Sequence, residues 1–134
     1  MTFNRKKFEL QRRKYLTSVG KSKKLKSYSQ KFNEAAVNLS YVYLWDWLGE
    51  PILQSPSDIM IIQEKLFEIQ PDILVETGVA WGGSILFYAT ILDNINKGKV
   101  LGIDLNLDKK IINKLKKSKF SKRIKLIKNN SVDI

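Results

Sequence analysis

The sequence contains no cysteine and no histidine, and each absence removes a class of function. Without cysteine there is no disulfide framework, thiolate zinc site or cysteine nucleophile. Without histidine, a histidine general base and a Ser-His-Asp triad are excluded as well. The sequence also lacks an apolar run near the roughly 20 residues of a membrane-spanning helix, and an early apolar segment typical of a secretory signal. We therefore expect a cytoplasmic protein, peripheral to a membrane at most.

Charge is segregated along the chain. The 134 residues carry a net charge of +11, but residues 1–31 carry +10, residues 32–108 carry −8 and residues 109–134 carry +9. An acidic middle between two basic ends differs from a uniformly basic nucleic-acid-binding domain, so we expect no specific nucleic-acid partner. The basic first segment predicts contact with an anionic membrane face or an acidic partner. The simpler alternative is a solvated arm.

The aromatic stretch near residue 40 marks a change in composition. We interpret residues 1–34 as a basic N-terminal arm, partly helical or disordered, and residues 35–134 as the N-terminal half of a folded domain. The alternating tyrosines and tryptophans of residues 41–47 suit a strand face, whereas the apolar residues of 37–48 suit a helix face, so the type stays open. The aromatic side chains either pack in the core or line a substrate pocket.

Helices and strands then alternate to the end of the sequence. Ser55 and Pro56 are a typical helix N-cap and first turn, and Pro71 ends that helix. A short, continuously apolar strand follows at 73–75, which is typical of a buried parallel strand. A helix then follows at 84–95, a strand at 100–103, a helix at 108–118 and a strand at 123–127. Alternation of this kind predicts an α/β fold with a Rossmann-like parallel sheet, here its first half, in strand order 3-2-1. The N-terminal segment is then a helical or irregular extension.

A glycine-rich loop joins the first of these strands to its helix. Gly78 allows a sharp turn, Gly82 and Gly83 remove side chains where a ligand approaches the backbone, and the next strand ends in Asp104. A carboxylate at that position can accept both hydroxyls of an adenosine ribose. No Gly-Lys-Ser/Thr follows, so this is not a P-loop. Glu76 would repel a pyrophosphate but attract the amino group or sulfonium of S-adenosylmethionine; alternatively, it accepts from loop amides.

Several motifs resemble the cephalosporin hydroxylase family, which includes rhamnosyl O-methyltransferases that act on glycolipids. These motifs are WLGEP at 47–51, QSPSD at 54–58, QE at 63–64, PDILVETG at 71–78, WGGS at 81–84 and GID at 102–104. The resemblance covers about residues 40–134 and includes the third strand and the loop after it. It implies a class I methyltransferase fold with S-adenosylmethionine over the carboxyl ends of the first two strands.

The resemblance also implies roles for individual residues. The methionine part of the cofactor would lie against Glu76, Gly78, Gly83 and Ser84, the ribose against Asp104, and the adenine near Asn130 and Ser131. Thr77 and Gly82 of the same loop are also predicted to bind the cofactor. Members of the family carry a divalent metal held by acidic residues from a later strand, and this sequence ends before that strand. Neither metal ligands nor catalytic residues are therefore assigned.

Two other functions compete with a methyltransferase that takes a small-molecule or glycolipid acceptor. One is a non-catalytic half-domain, since a first strand without a neighbour leaves an open sheet edge that a second copy or a partner chain would cover. The other is a different nucleotide-binding enzyme, such as a dehydrogenase. Glu76 and the loop spacing disfavour that enzyme, because they depart from the usual dinucleotide pattern.

Overall fold

The computed structural model describes residues 3–133. The first two residues of the predicted arm and the last residue of the predicted domain therefore lie outside the described residues. The chain divides between Ser40 and Tyr41 into two compact units.

The first unit consists of two helices, α1 (Arg5–Lys21) and α2 (Lys23–Asn38). Asn4 caps α1 by accepting a hydrogen bond from the Lys7 N–H at 3.0 Å, and Ser22 caps α2 by accepting from the Leu25 N–H at 3.2 Å. Neither helix contains a buried residue. Across residues 3–133 no helix combines the length and the apolar character needed to cross a membrane.

The second unit begins with a 3-10 turn at Tyr41–Leu44 and a two-stranded hairpin formed by β1 (Asp46–Trp47) and β2 (Glu50–Pro51). Helix α3 (Pro56–Ile69) follows, with the Ser55 hydroxyl accepting from the Asp58 N–H at 3.4 Å. The predicted start of this helix is confirmed. It ends at Gln70, whose left-handed backbone (φ 48°) closes the last turn just before Pro71.

The main sheet has three parallel strands, β3 (Ile73–Thr77), β4 (Lys99–Asp104) and β5 (Ile124–Lys128), in the order β3-β4-β5. Helix α4 (Gly83–Asn94) connects β3 to β4, and α5 (Lys109–Lys117) connects β4 to β5. The predicted Rossmann-like sheet and its 3-2-1 order are confirmed. This topology brings the carboxyl ends of β3 and β4 side by side, with Thr77 paired with Ile103.

The core lies on one face of this sheet. Its cluster draws on α3, α4 and α5, with Ile85 and Phe87 of α4 almost fully buried, and it includes Leu74 of β3. The prediction of a fully buried first strand is wrong for Ile73 and Val75, which are 64% and 56% exposed. Successive strand residues point to opposite faces, and these two point away from the helices that cover Leu74.

Candidate functional site

The loop between β3 and α4 makes the sharp turn that its glycines predict. Gly78 and Gly82 have φ values of 88° and 89°, in the region that glycine reaches without strain. The Gly78 N–H donates to the Ile103 carbonyl at 2.8 Å, and the Gly82 N–H donates to the Val79 carbonyl at 2.9 Å. The first bond holds the loop against the end of β4, and the second closes a turn within the loop.

The Asp104 side chain also holds this loop in place. One carboxylate oxygen, Oδ2, accepts from the N–H groups of Val79 at 2.7 Å and Ala80 at 3.3 Å, and Oδ1 accepts from the Asn106 N–H at 2.7 Å. The bond from Asn106, followed by those from the loop and by the Lys128 charge, lowers the pKa of Asp104 despite some burial. The structure therefore brings the glycine-rich loop and Asp104 together at one rim of the sheet, as one adenosyl-ligand site requires.

Glu76 is the second carboxylate near this rim, and its environment differs from that of Asp104. Burial raises the pKa of Glu76 to about 7, although hydrogen bonds with Ser84 and Tyr88 oppose the shift. Its Oε2 atom is buried and has no hydrogen-bond partner among the described residues. A buried acceptor without a donor is costly, so this oxygen is a natural position for a donor or cation from a ligand.

A cavity of about 220 Å³ opens beside Glu76 and the loop. It is lined by Pro51, Leu53, Gln54, Glu76, Thr77, Gly78, Val79, Ala80, Trp81 and Ser84. We call this the inner cavity. Four of the residues predicted to bind a cofactor, Glu76, Thr77, Gly78 and Ser84, are thus brought together around one space. Their contact with a cofactor stays a prediction.

Gly82 and Gly83 have a structural reason for lacking a side chain. A Cβ atom on Gly83 would lie 2.2 Å from the Pro51 carbonyl oxygen, and one on Gly82 would lie 3.2 Å from side-chain atoms of Ile111 and Leu115. Contacts within the protein therefore require glycine at Gly83 and leave little room for a side chain at Gly82. The consequence is that α4 begins in direct contact with the β1–β2 hairpin. The predicted approach of a ligand to the backbone of these two glycines stays a prediction.

Asn130 and Ser131 lie on the exposed segment after β5 and do not line the inner cavity. The adjacent Asn129 N–H donates to the Asp104 carbonyl at 3.2 Å, which brings this segment to the same rim. Asn130 Oδ1 accepts from the Val132 N–H at 3.3 Å, a local turn. The predicted adenine contacts of both residues remain untested by this arrangement.

A second cavity, of about 420 Å³, lies next to the first and was not predicted as a site. We call it the outer cavity; it is lined by Tyr43, Glu50, Pro51, Trp81, Ile111 and Lys114. The rings of Tyr43 and Trp81 meet edge to face at 6.0 Å, and Lys114 Nζ pairs with Glu50 at 2.6 Å. Pro51 and Trp81 line both cavities.

The aromatic residues of 41–47 have two different environments, a cavity and the core. Tyr43 lines the outer cavity, whereas Trp45 and Trp47 pack against the core, Trp47 with its ring 4.9 Å from that of Phe87. Tyr88, which interacts with Glu76, was missed by the sequence analysis. Its position four residues after Ser84, on the same helix face, is the signal that could have identified it.

The charge of Glu76 should make stability depend on pH. Because its folded-state pKa is raised, its favourable contribution is complete below the ordinary value of 4.5 and is lost as the pH rises through about 7. We expect the free energy of unfolding to fall by about 2 kcal/mol between about pH 5 and about pH 8 from this group. Urea titrations should show that Glu76→Gln removes this fall. Glu64→Gln, at an exposed position of α3, should preserve it, and an unchanged profile in Glu76→Gln would contradict the assignment.

Within residues 3–133, no three His, Cys, Asp or Glu side chains lie together as a metal site would require. The described residues therefore do not fit the divalent metal that the resemblance implies. No chemical step is assigned to a metal here.

Comparison with known proteins gives concordant findings. The family model Rhamnosyl O-methyltransferase/CmcI matches residues 39–134. A rhamnosyl O-methyltransferase of Mycobacterium leprae (strain TN) is 37% identical over 68 residues, which cover 48% of this chain and 30% of that protein. One of Mycobacterium tuberculosis (strain ATCC 25618 / H37Rv) is 37% identical over 59 residues, covering 43% and 24%.

A solved structure described as "cmcI-N160 SAH" superposes with a TM-score of 0.52 at 22% identity, covering 64% of this chain and 43% of that one. This likeness shows the shared fold. The chain thus matches less than a third of the length of these curated relatives and less than half of the solved chain.

Proposed function

The chain belongs to the Rhamnosyl O-methyltransferase/CmcI family, and we propose that it forms the S-adenosylmethionine-binding part of an O-methyltransferase. The acceptor is a hydroxyl group of a sugar, a glycolipid or a similar metabolite. One observation carries the proposal. The glycine-rich loop, the Asp104 carboxylate and Glu76 lie together at one rim of the sheet, and Glu76 Oε2 has no hydrogen-bond partner among the described residues. The relatives named above support the reaction class and the type of acceptor.

The residues around the inner cavity, and Asp104 at the adjoining rim, fit the cofactor's polar groups. Glu76 Oε2 has no donor among the described residues, so it would accept from the cofactor's amino group, with Ser84 beside it. The two carboxylate oxygens of Asp104 accept hydrogen bonds from three backbone N–H groups. Because a carboxylate can accept about four hydrogen bonds, one ribose hydroxyl can still bind there. When bound, the cofactor supplies a methyl group carried on a sulfonium.

The outer cavity suits the acceptor. The exposed rings of Tyr43 and Trp81 offer apolar faces to the C–H groups of a sugar ring, and the Glu50–Lys114 pair offers an acceptor and donors for its hydroxyls. Because Trp81 and Pro51 line both cavities, a sugar here would lie next to the inner cavity. The chain's task is then largely to position the reacting groups. We expect weak methyl transfer or none from this chain alone, since none of its residues is assigned as the base.

Calorimetry tests the cofactor assignment directly. The chain should bind S-adenosylhomocysteine, the product form of the cofactor, with a one-to-one stoichiometry, and should not bind NAD. Binding of NAD with no response to S-adenosylhomocysteine would replace the methyltransferase by a different nucleotide-binding enzyme.

A second titration, with methyl rhamnoside, tests the acceptor site. Tyr43→Ala should weaken the binding of methyl rhamnoside without changing the affinity for S-adenosylhomocysteine.

A second candidate function, a non-catalytic half-domain, is favoured by the exposed side of β3. Ile73 and Val75 present a strongly exposed apolar pair on a strand that pairs with β4 alone among the described strands. Such a strand can add another strand from a second copy or a partner chain.

Charge placed on that strand should weaken any self-association. If the second function holds, sedimentation velocity should show concentration-dependent oligomers that Val75→Lys shifts to monomer by at least about tenfold in concentration, because a charged residue on an edge strand opposes pairing. Val132→Lys, at an 80% exposed valine outside the sheet, is the matched control and should have no effect. A monomer at every concentration that binds S-adenosylhomocysteine would leave the first function standing alone.

A further inference from the structure

Helix α1 carries an apolar stripe along one side. Phe8, Tyr15 and Val19 recur at spacings of seven and four residues, which align on one face of a helix, and they are 48%, 62% and 53% exposed. Lysine and arginine side chains flank the stripe; Arg5, for example, has its guanidinium carbon 6.0 Å from the centre of the Phe8 ring. Exposed rings beside cations are typical of a helix that lies at an interface between water and an apolar phase.

Helix α2 repeats the pattern. Leu25, Tyr28 and Phe32 follow at spacings of three and four, again on one face, and all three are about half exposed. Lys24 places its ammonium group 5.8 Å from the centre of the Tyr28 ring. The first turn of α2 holds no acidic residue to offset its lysines.

The two stripes meet where the helices join. Val19 of α1 and Leu25 and Tyr28 of α2 line one open cavity of about 430 Å³, together with Ser18, Ser22 and Lys24. The apolar face of this unit is therefore continuous across the bend at Ser22, and a lysine stands at its border. The surface it presents is larger than either helix could offer alone.

We propose that this face of α1 and α2 binds the surface of an anionic lipid membrane. Residues 1–31 carry a net charge of +10, which complements phosphate headgroups, and the stripe supplies aliphatic and aromatic side chains that bury into the boundary between headgroups and acyl chains. A nucleic acid would use the cations, but it offers no apolar phase to bury Phe8, Val19 or Leu25. An acidic lipid surface uses both features at once.

Vesicle sedimentation with the full chain tests the proposal. The protein should bind vesicles of equal parts phosphatidylcholine and phosphatidylglycerol, bind pure phosphatidylcholine weakly, and be released by high salt. Lys23→Gln/Lys24→Gln/Lys26→Gln should weaken binding by about 100-fold, since each lysine near an anionic surface contributes a factor of about five. The same changes at Lys109, Lys110 and Lys116 of α5 alter the net charge equally and should cost much less.

A third variant examines the apolar stripe. Tyr28→Ser/Phe32→Ser keeps every charge and should weaken vesicle binding by about tenfold or more, with circular dichroism showing that the helices persist. Equal binding to both kinds of vesicle, equal losses in the α2 and α5 charge variants, or full binding by the serine variant would each overturn the proposal. Preferential binding to DNA, or a dimer through α2 that ignores vesicles, would also overturn it.

Discussion

Gly83→Ala should destabilise the second unit severely. The new methyl group would lie 2.2 Å from the Pro51 carbonyl oxygen and 2.8 Å from that of Glu50, distances that no real Cβ atom tolerates. Both obstacles are backbone atoms, so no side-chain rotation can relieve the contact. We expect a loss of about 3 kcal/mol or more in the free energy of unfolding, at the upper end for an overpacked core.

The matched control is Gly20→Ala, at the other glycine inside a helix. A Cβ atom on Gly20 would meet nothing within 4 Å, so alanine should be neutral or stabilise α1 by about 0.5–1 kcal/mol. Urea unfolding monitored by tryptophan fluorescence measures the Gly83 effect, because Trp47 of the hairpin packs on Phe87 of α4. Equal stability of Gly83→Ala and the parent chain would show that the hairpin does not pack on α4 as described.

The order of helices and strands from Ser55 onward was predictable because each of these elements carries a local signal. Ser55 and Pro56 mark a helix start, and the apolar runs of β3 and β4 mark strands whichever face they bury. The exposure of Ile73 and Val75 was not predictable in the same way. It depends on which face of the sheet the helices cover, and that choice is made by packing between elements far apart in sequence.

The site was predictable to a similar extent. Glycines at a strand end and an acid at the next strand end meet at one rim in any parallel sheet, so the approach of Asp104 to the loop followed from topology. The pairing of Tyr43 with Trp81 and of Glu50 with Lys114 did not follow, since each joins residues more than one element apart. The steric need for glycine at position 83 did not follow either, because local pattern does not reveal the hairpin that packs against it.

Asp104→Ala should weaken binding of S-adenosylhomocysteine by roughly 10- to 100-fold, the equivalent of one lost charge-assisted hydrogen bond of about 1.5–3 kcal/mol. The loss has two possible routes. Asp104 can bind the ribose hydroxyls, or it can act only by holding the N–H groups of Val79 and Ala80, as it does in this structure. Calorimetry on the single variant gives the size of the effect but does not separate the routes.

Comparing two ligands on the parent chain and on the variant separates the two routes. An S-adenosylhomocysteine analogue without the ribose hydroxyls should bind the parent chain more weakly than S-adenosylhomocysteine, and Asp104→Ala should bind both ligands with nearly equal affinity if the carboxylate contacts the ribose. If Asp104 acts only on the loop, the variant should weaken both ligands by the same factor and the preference for the hydroxyls should persist. Unchanged affinity for S-adenosylhomocysteine in Asp104→Ala would remove Asp104 from the binding site. Thermal unfolding of the variant checks that the loop's lost hydrogen bonds have not unfolded the unit, because the depressed pKa of Asp104 shows that its ionised form stabilises the fold at neutral pH.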